Sequence, residues 1–261
     1  MKDEKLISVD RITVLVFCIL MVGAIGVSFS CTRSCTRSED EVVVFAAASL
    51  TDVLNEVKKR YELEHPATIQ YNFGGSQGLA IELSKGSPGD VFISAGAPPM
   101  KFLTEQSDVE IASTSIIAQN SLIVVTKSED AELISYSSLL DLDLIAIADP
   151  NLAPAGFYAK QSLTHTGLWT GIQEKLVFAA DVRAALNYVK SGNVDAAIVY
   201  MTDGLSEPQL EIRKIIPLNS YTNISYPIAV IQNKNSRLSK EFVDYLLTSE
   251  TAQLFQSYGF R

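Results

Sequence analysis

Short apolar runs alternate with amphipathic segments from about residue 41 onward, and this alternation restricts the possible folds more than any other feature of the sequence. The first run, VVVFAAA from Val42 to Ala48, has the length and composition of a buried strand. It is followed by apolar residues at helical spacing, namely Leu50, Val53, Leu54, Val57 and Tyr61. The pattern predicts an α/β fold with a largely parallel sheet.

The predicted strands share a second property, because small or hydroxyl-bearing residues stand where each strand ends and a turn or helix begins. Such ends follow six runs, residues 42–48, 68–73, 90–95, 144–150, 175–180 and 194–200. In open α/β sheets, ligands bind beyond the carboxyl ends of the strands, where helix N-termini expose N–H groups and partial positive charge. The sequence therefore predicts an anion site at these ends, and Ala46 to Ala48 offer no bulky side chain to keep the anion from the main chain.

Taken singly, the residues at these ends have simpler interpretations. Ser49 and Ser76 could be helix caps, with Asp52 as the acidic residue of a first turn. Other single-residue expectations are a capping role for Asp181, a half-buried packing position for Tyr200, a solvated surface position for Arg183 and a turn at Asp149. The shared pattern of strand ends favours ligand contacts over these separate roles for the two serines and the tyrosine.

The first forty residues differ from the rest of the chain. Residues 12–30 form an uncharged apolar run after a charged start, which is typical of an export signal or membrane segment. The sequence SFSC ending at Cys31 resembles the lipobox of bacterial lipoproteins, although Phe29 stands where that motif prefers a small residue. We therefore expect lipidation at Cys31, with an uncleaved anchor or ordinary cleavage as alternatives, and a polar tether over residues 31–40.

Charge and cysteine content exclude several classes of protein. The formal net charge is −9, and residues 1–30 carry equal numbers of acidic and basic side chains, so the folded part is strongly acidic. Nucleic acid is an unfavourable partner for such a surface. The cysteines are Cys18, Cys31 and Cys35, so the folded part has neither a disulfide scaffold nor a cysteine-ligated metal site.

Several motifs, in order and with their separations, resemble the periplasmic molybdate-binding proteins of ABC transporters. They are FAAASLTDV, FGGSQGLA, GDVFISA, DPNLAPAGFYAK, DVRAALNYV and AAIVY, and the resemblance extends from Val42 to the C-terminal SETAQLFQSYGF. It implies the type II two-lobed binding-protein fold, with mixed, mainly parallel sheets, a two-strand hinge and a ligand cleft between the lobes. The implied lobes are residues 41–120 with 226–261, and residues 121–225.

Carried over from this family, the oxyanion contacts fall on six residues: Ser49, Ser76, Ala95, Ala155, Val182 and Tyr200. The resemblance implies a monomeric binding protein with no catalytic activity and no cofactor, which delivers molybdate or tungstate to an ABC permease. A site made only of hydrogen-bond donors suits a fully deprotonated dianion and disfavours hydrogen phosphate, whose proton would meet another donor. Sulfate has the same charge as molybdate and remains an alternative cargo.

A rival motif must also be weighed. Residues 74–78, GGSQG, satisfy the G-x-S-x-G pattern of hydrolase nucleophiles, and Asp149 and His165 follow Ser76 in the order of a catalytic triad. The pattern is short, and His165 is expected at the end of a helix whose N-terminus faces the cleft. That position would put its ring a helix length from Ser76, so hydrolysis is the less favoured hypothesis.

Overall fold

A computed structural model describes residues 40–106, 108–127, 135–232 and 236–261 of the chain. The predicted export segment, Cys31 and all but the last residue of the predicted tether lie outside these residues. Within the part that is described, no helix combines the length and apolar character needed to cross a membrane.

The described strands form two five-stranded sheets, each the centre of one lobe. The sheet of lobe 1 has the order β2-β1-β3-β10-β4. Its strands are β1 (Glu41–Ala47), β2 (Thr68–Gly74), β3 (Val91–Ile93), β4 (Ile111–Asn120) and β10 (Ile224–Ile231). Strand β1 is parallel to β2 and β3, whereas β10 is antiparallel to both of its neighbours.

The sheet of lobe 2 has the order β7-β6-β8-β5-β9 and the same mixture of directions. Its strands are β5 (Leu122–Thr126), β6 (Ile145–Ala148), β7 (Leu176–Ala179), β8 (Ala196–Tyr200) and β9 (Glu211–Ile215). Strand β6 is parallel to β7 and β8, and β5 is antiparallel to β8 and β9. Together the two mixed α/β sheets make the type II two-lobed binding-protein fold.

Helices cover the faces of both sheets. In lobe 1 they are α1 (Thr51–Glu64), α2 (Ser76–Ser84), α3 (Ala97–Thr104), α8 (Ser236–Leu246) and α9 (Ser249–Ser257). In lobe 2 they are α4 (Pro154–His165), α5 (Trp169–Ile172), α6 (Val182–Lys190) and α7 (Met201–Leu205). Short 3-10 helices span Ala48–Leu50, Tyr136–Asp141, Gln173–Lys175 and Leu218–Ser220.

Both faces of the inner parallel strands β1, β3, β6 and β8 are largely buried, which explains why they appear in the sequence as continuous apolar runs. On β1, Val44 and Phe45 point to opposite faces, and both are almost completely buried. Val44 belongs to the large core that includes Leu54 of α1, while Phe45 packs in a separate cluster with Leu83 of α2.

The chain passes between the lobes at two described places. Strand β4 ends at Asn120 and β5 begins at Leu122, so the first crossing is made by Ser121 alone. The second crossing lies between Ile215 at the end of β9 and Ile224 at the start of β10. These two connections hold the carboxyl ends of β1 and β2 opposite those of β6, β7 and β8.

Candidate anion-binding site

A small cavity lies between the lobes at the strand ends that the sequence marked. All six predicted contact residues line it, with Ser49, Ser76 and Ala95 from lobe 1 and Ala155, Val182 and Tyr200 from lobe 2. Its remaining wall is made by Ala47, Ala48, Gly74, Gly75, Ala153, Pro154 and Asp181. The volume is about 10 Å³, comparable to the space sampled by one water-sized sphere. A tetrahedral oxyanion is larger than this volume, so the walls of the cavity must separate slightly to admit one.

Helix N-termini from both lobes converge on this cavity. Ser76, Ala155 and Val182 lie in the first turns of α2, α4 and α6, and Ser49 lies in the 3-10 turn that leads into α1. The first N–H groups of a helix have no partner within that helix, and they carry partial positive charge. Helix N-termini placed around a cavity in this way favour an anion.

The hydroxyl groups of Ser49 and Ser76 do not cap their helices, so the capping interpretation is wrong. Gly75 occupies the N-cap position of α2, without a side-chain cap bond. The Oγ of Ser76 instead accepts a hydrogen bond from the N–H of Ala95 at 3.0 Å, and Ser49 Oγ lies 3.0 Å from the hydroxyl of Tyr226. Both serines are at least 97% buried at the cavity.

Tyr200 is buried completely, which differs from the half-buried packing position that a single tyrosine at a strand end suggests. It is 1% exposed, and its hydroxyl donates to the carbonyl oxygen of Ala95 in the other lobe over 3.4 Å. Burial raises the pKa of Tyr200 well above its usual value, and neighbouring tyrosines and Asp203 add to the effect. The phenol therefore keeps its proton at neutral pH and remains a hydrogen-bond donor.

Glycine allows the two lobes to approach closely beside the cavity. A Cβ on Gly75 would lie 2.8 Å from the carbonyl oxygen of Leu152 and 2.9 Å from that of Ala180, both in lobe 2. At the same place, the N–H groups of Gln77 and Gly78 donate to Leu152 O at 3.1 and 3.2 Å. Main chain meets main chain across the cleft, and any side chain at position 75 would hold the lobes apart.

One charged side chain, that of Asp181, stands in the described wall of the cavity. Asp181 caps α6, as predicted, by accepting from the N–H of Ala184 at 2.9 Å. The described cavity lining contains neither lysine nor arginine. A larger cavity of about 500 Å³ adjoins Ser49, and its wall contains Arg183 together with the acidic side chains of Asp52 and Glu207.

Arg183 is an inter-lobe ion-pair residue and not the solvated surface arginine that was expected. Its side chain is 21% exposed, and Nη2 lies 2.5 Å from Asp52 Oδ2 of lobe 1. Nε lies 2.8 Å from Oδ1 of the buried Asp203, but the two are not aligned for a hydrogen bond. Burial raises the pKa of Asp203 to about 6, because desolvation outweighs the attraction of Arg183.

The geometry does not form the triad suggested by G-x-S-x-G. Asp149 Oδ1 accepts from the N–H of Asn151 at 2.8 Å, which is the turn expected from the sequence. His165 is exposed at the far end of α4, roughly 16 Å along the helix axis from the cavity. In the described parts of the chain, no group of three or more His, Cys, Asp or Glu side chains is placed to hold a metal ion.

Two residues at the hinge were not identified from the sequence as part of the site. Tyr226, near the start of β10, contacts Ser49, and Asn120 at the end of β4 contacts Tyr226. The only signal was a tyrosine placed where the chain was expected to return between lobes. A single aromatic residue in the apolar run YPIAVIQ is indistinguishable from an ordinary core residue.

Two lobes with a small cavity between them, surrounded by helix N-termini and hydroxyl groups, are typical of a solute-binding protein. Residues 42–261 match the family model described as bacterial extracellular solute-binding protein, and the chain belongs to this family. The chain is 37% identical over 236 residues to the putative ABC transporter substrate-binding lipoprotein YvgL of Bacillus subtilis, covering 88% of this chain and 91% of that protein. It is 32% identical over 248 residues to the molybdate-binding protein ModA of Escherichia coli, covering 92% and 96%.

Solved structures show the same fold. The periplasmic molybdate-binding protein of Azotobacter vinelandii superposes with a TM-score of 0.75 at 21% identity, over 84% of this chain and 98% of that one. The substrate-binding domain of a putative molybdenum ABC transporter from Clostridium difficile gives a TM-score of 0.65 at 30% identity, over 85% and 98%. The sulfate-binding protein SubI of Mycobacterium tuberculosis gives 0.69 at 15% identity, over 85% and 86%, a likeness of fold alone.

Proposed function

We propose that this protein captures molybdate, and also tungstate, outside the cytoplasm and delivers it to an ABC permease. The observation that carries the proposal is the cavity in which Ser49, Ser76 and Ala95 of one lobe face Ala155, Val182 and Tyr200 of the other. The names of the B. subtilis and E. coli relatives support the transporter role and the cargo respectively.

The chemistry of this cavity favours a tetrahedral dianion. Hydrogen bonds to a charged group are worth about 1.5–3 kcal/mol each, so half a dozen exceed the roughly 12 kcal/mol of a nanomolar complex. Dehydration of the anion and closure of the lobes offset the excess. Hydrogen phosphate would direct its own proton at a donor and leave a buried group unpaired, at a cost of about 1–3 kcal/mol.

The role we propose is binding and not catalysis. Ser76 has no histidine beside it, since His165 lies at the opposite end of α4. Its hydroxyl is occupied by the Ala95 N–H, an arrangement that positions a donor and does not activate a nucleophile. The protein therefore needs no cofactor, and the oxyanion itself is the cargo.

We further propose that the protein acts as a monomer tethered by lipid at Cys31. The motif SFSC and the lipoprotein relative in B. subtilis support the anchor. Replacement of Cys31 by alanine should release the protein from the membrane fraction without changing its affinity for the anion. Retention of the Cys31→Ala variant in that fraction would contradict the lipid anchor.

The test is calorimetric titration of the purified full-length chain, in detergent, with molybdate, tungstate, sulfate and phosphate at neutral pH. We expect tight binding of the first two, and sulfate and phosphate weaker by at least a hundredfold. Sulfate binding as tightly as molybdate would reassign the cargo within the same site. Absence of heat with all four anions would contradict the anion-binding function itself.

A further inference from the structure

Four buried polar side chains form a chain of hydrogen bonds from the hinge to the anion cavity. They are Asn120 of β4, Thr202 of α7, Tyr226 of β10 and Ser49, and each is at most 4% exposed. We propose that Asn120 and Tyr226 fix the direction of the Ser49 hydroxyl, so that its proton points into the cavity and excludes oxyanions that carry a proton. This hinge relay rests on the proposed function and adds to it the residues that set its specificity.

The relay begins with the orientation of the Asn120 amide. Its Oδ1 accepts a hydrogen bond from the N–H of Ser121 at 2.9 Å. This bond distinguishes the oxygen of the amide from its nitrogen. The Nδ2 group therefore faces the other two partners, Thr202 Oγ1 at 2.9 Å and Tyr226 Oη at 3.0 Å. Because an amide nitrogen only donates, Tyr226 must accept from Asn120.

The second step concerns the proton of Tyr226. Burial raises the pKa of this phenol far above its usual value, so the proton stays in place at all physiological pH values. Among the described residues, the other polar atom within hydrogen-bond distance of Oη is Ser49 Oγ at 3.0 Å. Leaving a buried hydroxyl proton unpaired costs about 1–3 kcal/mol. Tyr226 therefore donates to Ser49.

The third step follows at Ser49. Since Ser49 Oγ accepts from Tyr226, its own proton is directed elsewhere, and Ser49 lines the anion cavity. A serine hydroxyl is ordinarily both donor and acceptor. Here the relay makes the Ser49 hydroxyl a donor toward the ligand. A protonated oxygen of the oxyanion at that position would bring its proton against the proton of Ser49.

The position of the relay also links the donor direction of the Ser49 hydroxyl to the hinge. Asn120 is the last residue of β4, directly before the crossing at Ser121, and Thr202 belongs to lobe 2. One amide proton of Asn120 goes to Tyr226 of lobe 1 and the other to Thr202 of lobe 2, so this amide contacts both lobes. The donor direction of Ser49 is therefore set at the same place where the lobes rotate.

Asn120→Asp is the sharpest test, because it changes the polarity of one atom at constant shape. A carboxylate oxygen in place of Nδ2 would accept from Tyr226, so Ser49 would donate to Tyr226 and turn a lone pair toward the cavity. We expect molybdate affinity to fall on the order of 10- to 100-fold, and the ratio of molybdate to phosphate affinity to fall at least tenfold. The titrations are made at about pH 8, where molybdate and phosphate are both dianions. The added carboxylate charge by itself would then weaken both anions equally, so a fall in the affinity ratio reports the reversed hydrogen bond.

Tyr226→Phe is the second test, since it removes the link between Asn120 and Ser49. The Ser49 hydroxyl is then free to donate or accept, and the affinity ratio should fall by several-fold. Tyr221→Phe is the matched control, because Tyr221 is also a buried tyrosine near the hinge, and its hydroxyl accepts from the N–H of Leu122 at 3.1 Å. That control should keep the wild-type ratio, although it too loses a buried phenol hydrogen bond.

The measurements are calorimetric titrations of each full-length variant with molybdate and with phosphate, accompanied by the thermal midpoint of the ligand-free protein. The relay is supported if the ratio falls in Asn120→Asp or Tyr226→Phe and stays in Tyr221→Phe. It is overturned if the wild type binds molybdate and both relay variants keep its ratio, or if Tyr221→Phe loses the ratio equally. A wild type that binds no oxyanion would overturn the proposed function, and the relay with it.

Discussion

Arg183 of lobe 2 and Asp52 of lobe 1 form an ion pair across the cleft, with Nη2 and Oδ2 2.5 Å apart. Arg183 directly follows Val182, which lines the cavity at the first residue of α6. Burial would lower the pKa of Arg183, but the carboxylates of Asp203 and Asp52 outweigh it and raise the pKa above its usual value. A permanent cation therefore stands one residue from the cavity and joins the two lobes.

Replacement of Arg183 by glutamine should weaken molybdate binding by about tenfold or more. The change removes the inter-lobe ion pair and leaves two carboxylates near a dianion without their cation, and both effects act in the same direction. Arg213→Gln is the matched control, because Arg213 is 20% exposed and pairs within lobe 2 with Glu211 at 2.8 Å. Equal loss of affinity in the control would attribute the effect to overall charge and not to the inter-lobe pair.

Gly75→Ala should prevent full closure of the cleft. The new Cβ would meet carbonyl oxygens of lobe 2 at 2.8 and 2.9 Å, and main-chain atoms cannot rotate away as a side chain can. We expect at least a tenfold loss of affinity with little change in the thermal midpoint of the ligand-free protein. Gly78→Ala, three residues along α2, has open space for its Cβ and should bind normally. Wild-type affinity in Gly75→Ala would mean that the lobes need not come this close.

Ser76→Ala and Tyr200→Phe should each reduce affinity on the order of 10- to 100-fold, since each removes one donor to a charged ligand. The fold of the ligand-free protein should persist, because both substitutions keep the apolar volume of the side chain almost unchanged. Titration calorimetry and thermal unfolding together separate the two roles. A collapse of the ligand-free fold in either variant would show that the residue is mainly structural.

The buried carboxyl of Asp203 should make stability depend on pH. Burial raises the pKa of this carboxyl from its usual range to about 6 in the folded protein, so folding favours the protonated form. The stabilising contribution of this group is complete below about pH 4 and is lost as pH rises through about 6. The thermal midpoint of the wild type should therefore fall relative to that of Asp203→Asn between these pH values. A constant difference would show that Asp203 is ionised throughout this range.

The parallel strands and the helices that follow them could be read from the sequence because both signals are local. Strand β1 begins one residue before the predicted Val42, and α2 begins at the predicted Ser76. Strands β4 and β5 were not identified as separate elements. Residues 113–115 of β4 are polar, and the first two of them are exposed. The antiparallel pairing of β4 with β10 joins segments about a hundred residues apart. No local pattern encodes such a pairing.

The residues that line the cavity were predictable because they follow from strand ends and helix starts. The polar partners behind them were not. In the sequence, Arg183 resembles an ordinary surface residue of its helix, and its buried partner Asp203 lies twenty residues further along the chain. The same is true of Tyr226, which contacts Ser49 across a sequence separation of 177 residues. Such contacts depend on the tertiary arrangement alone.

The folded part of the chain contains no cysteine, since Cys18, Cys31 and Cys35 all precede residue 40. Two engineered thiols would therefore be the only reactive sulfur atoms in a chain begun after Cys35. One could replace Leu63, which is 87% exposed on α1, and the other the exposed Glu174 of lobe 2. A pair of dyes attached there would convert lobe movement into an optical signal and make the protein a fluorescent gauge of oxyanion concentration.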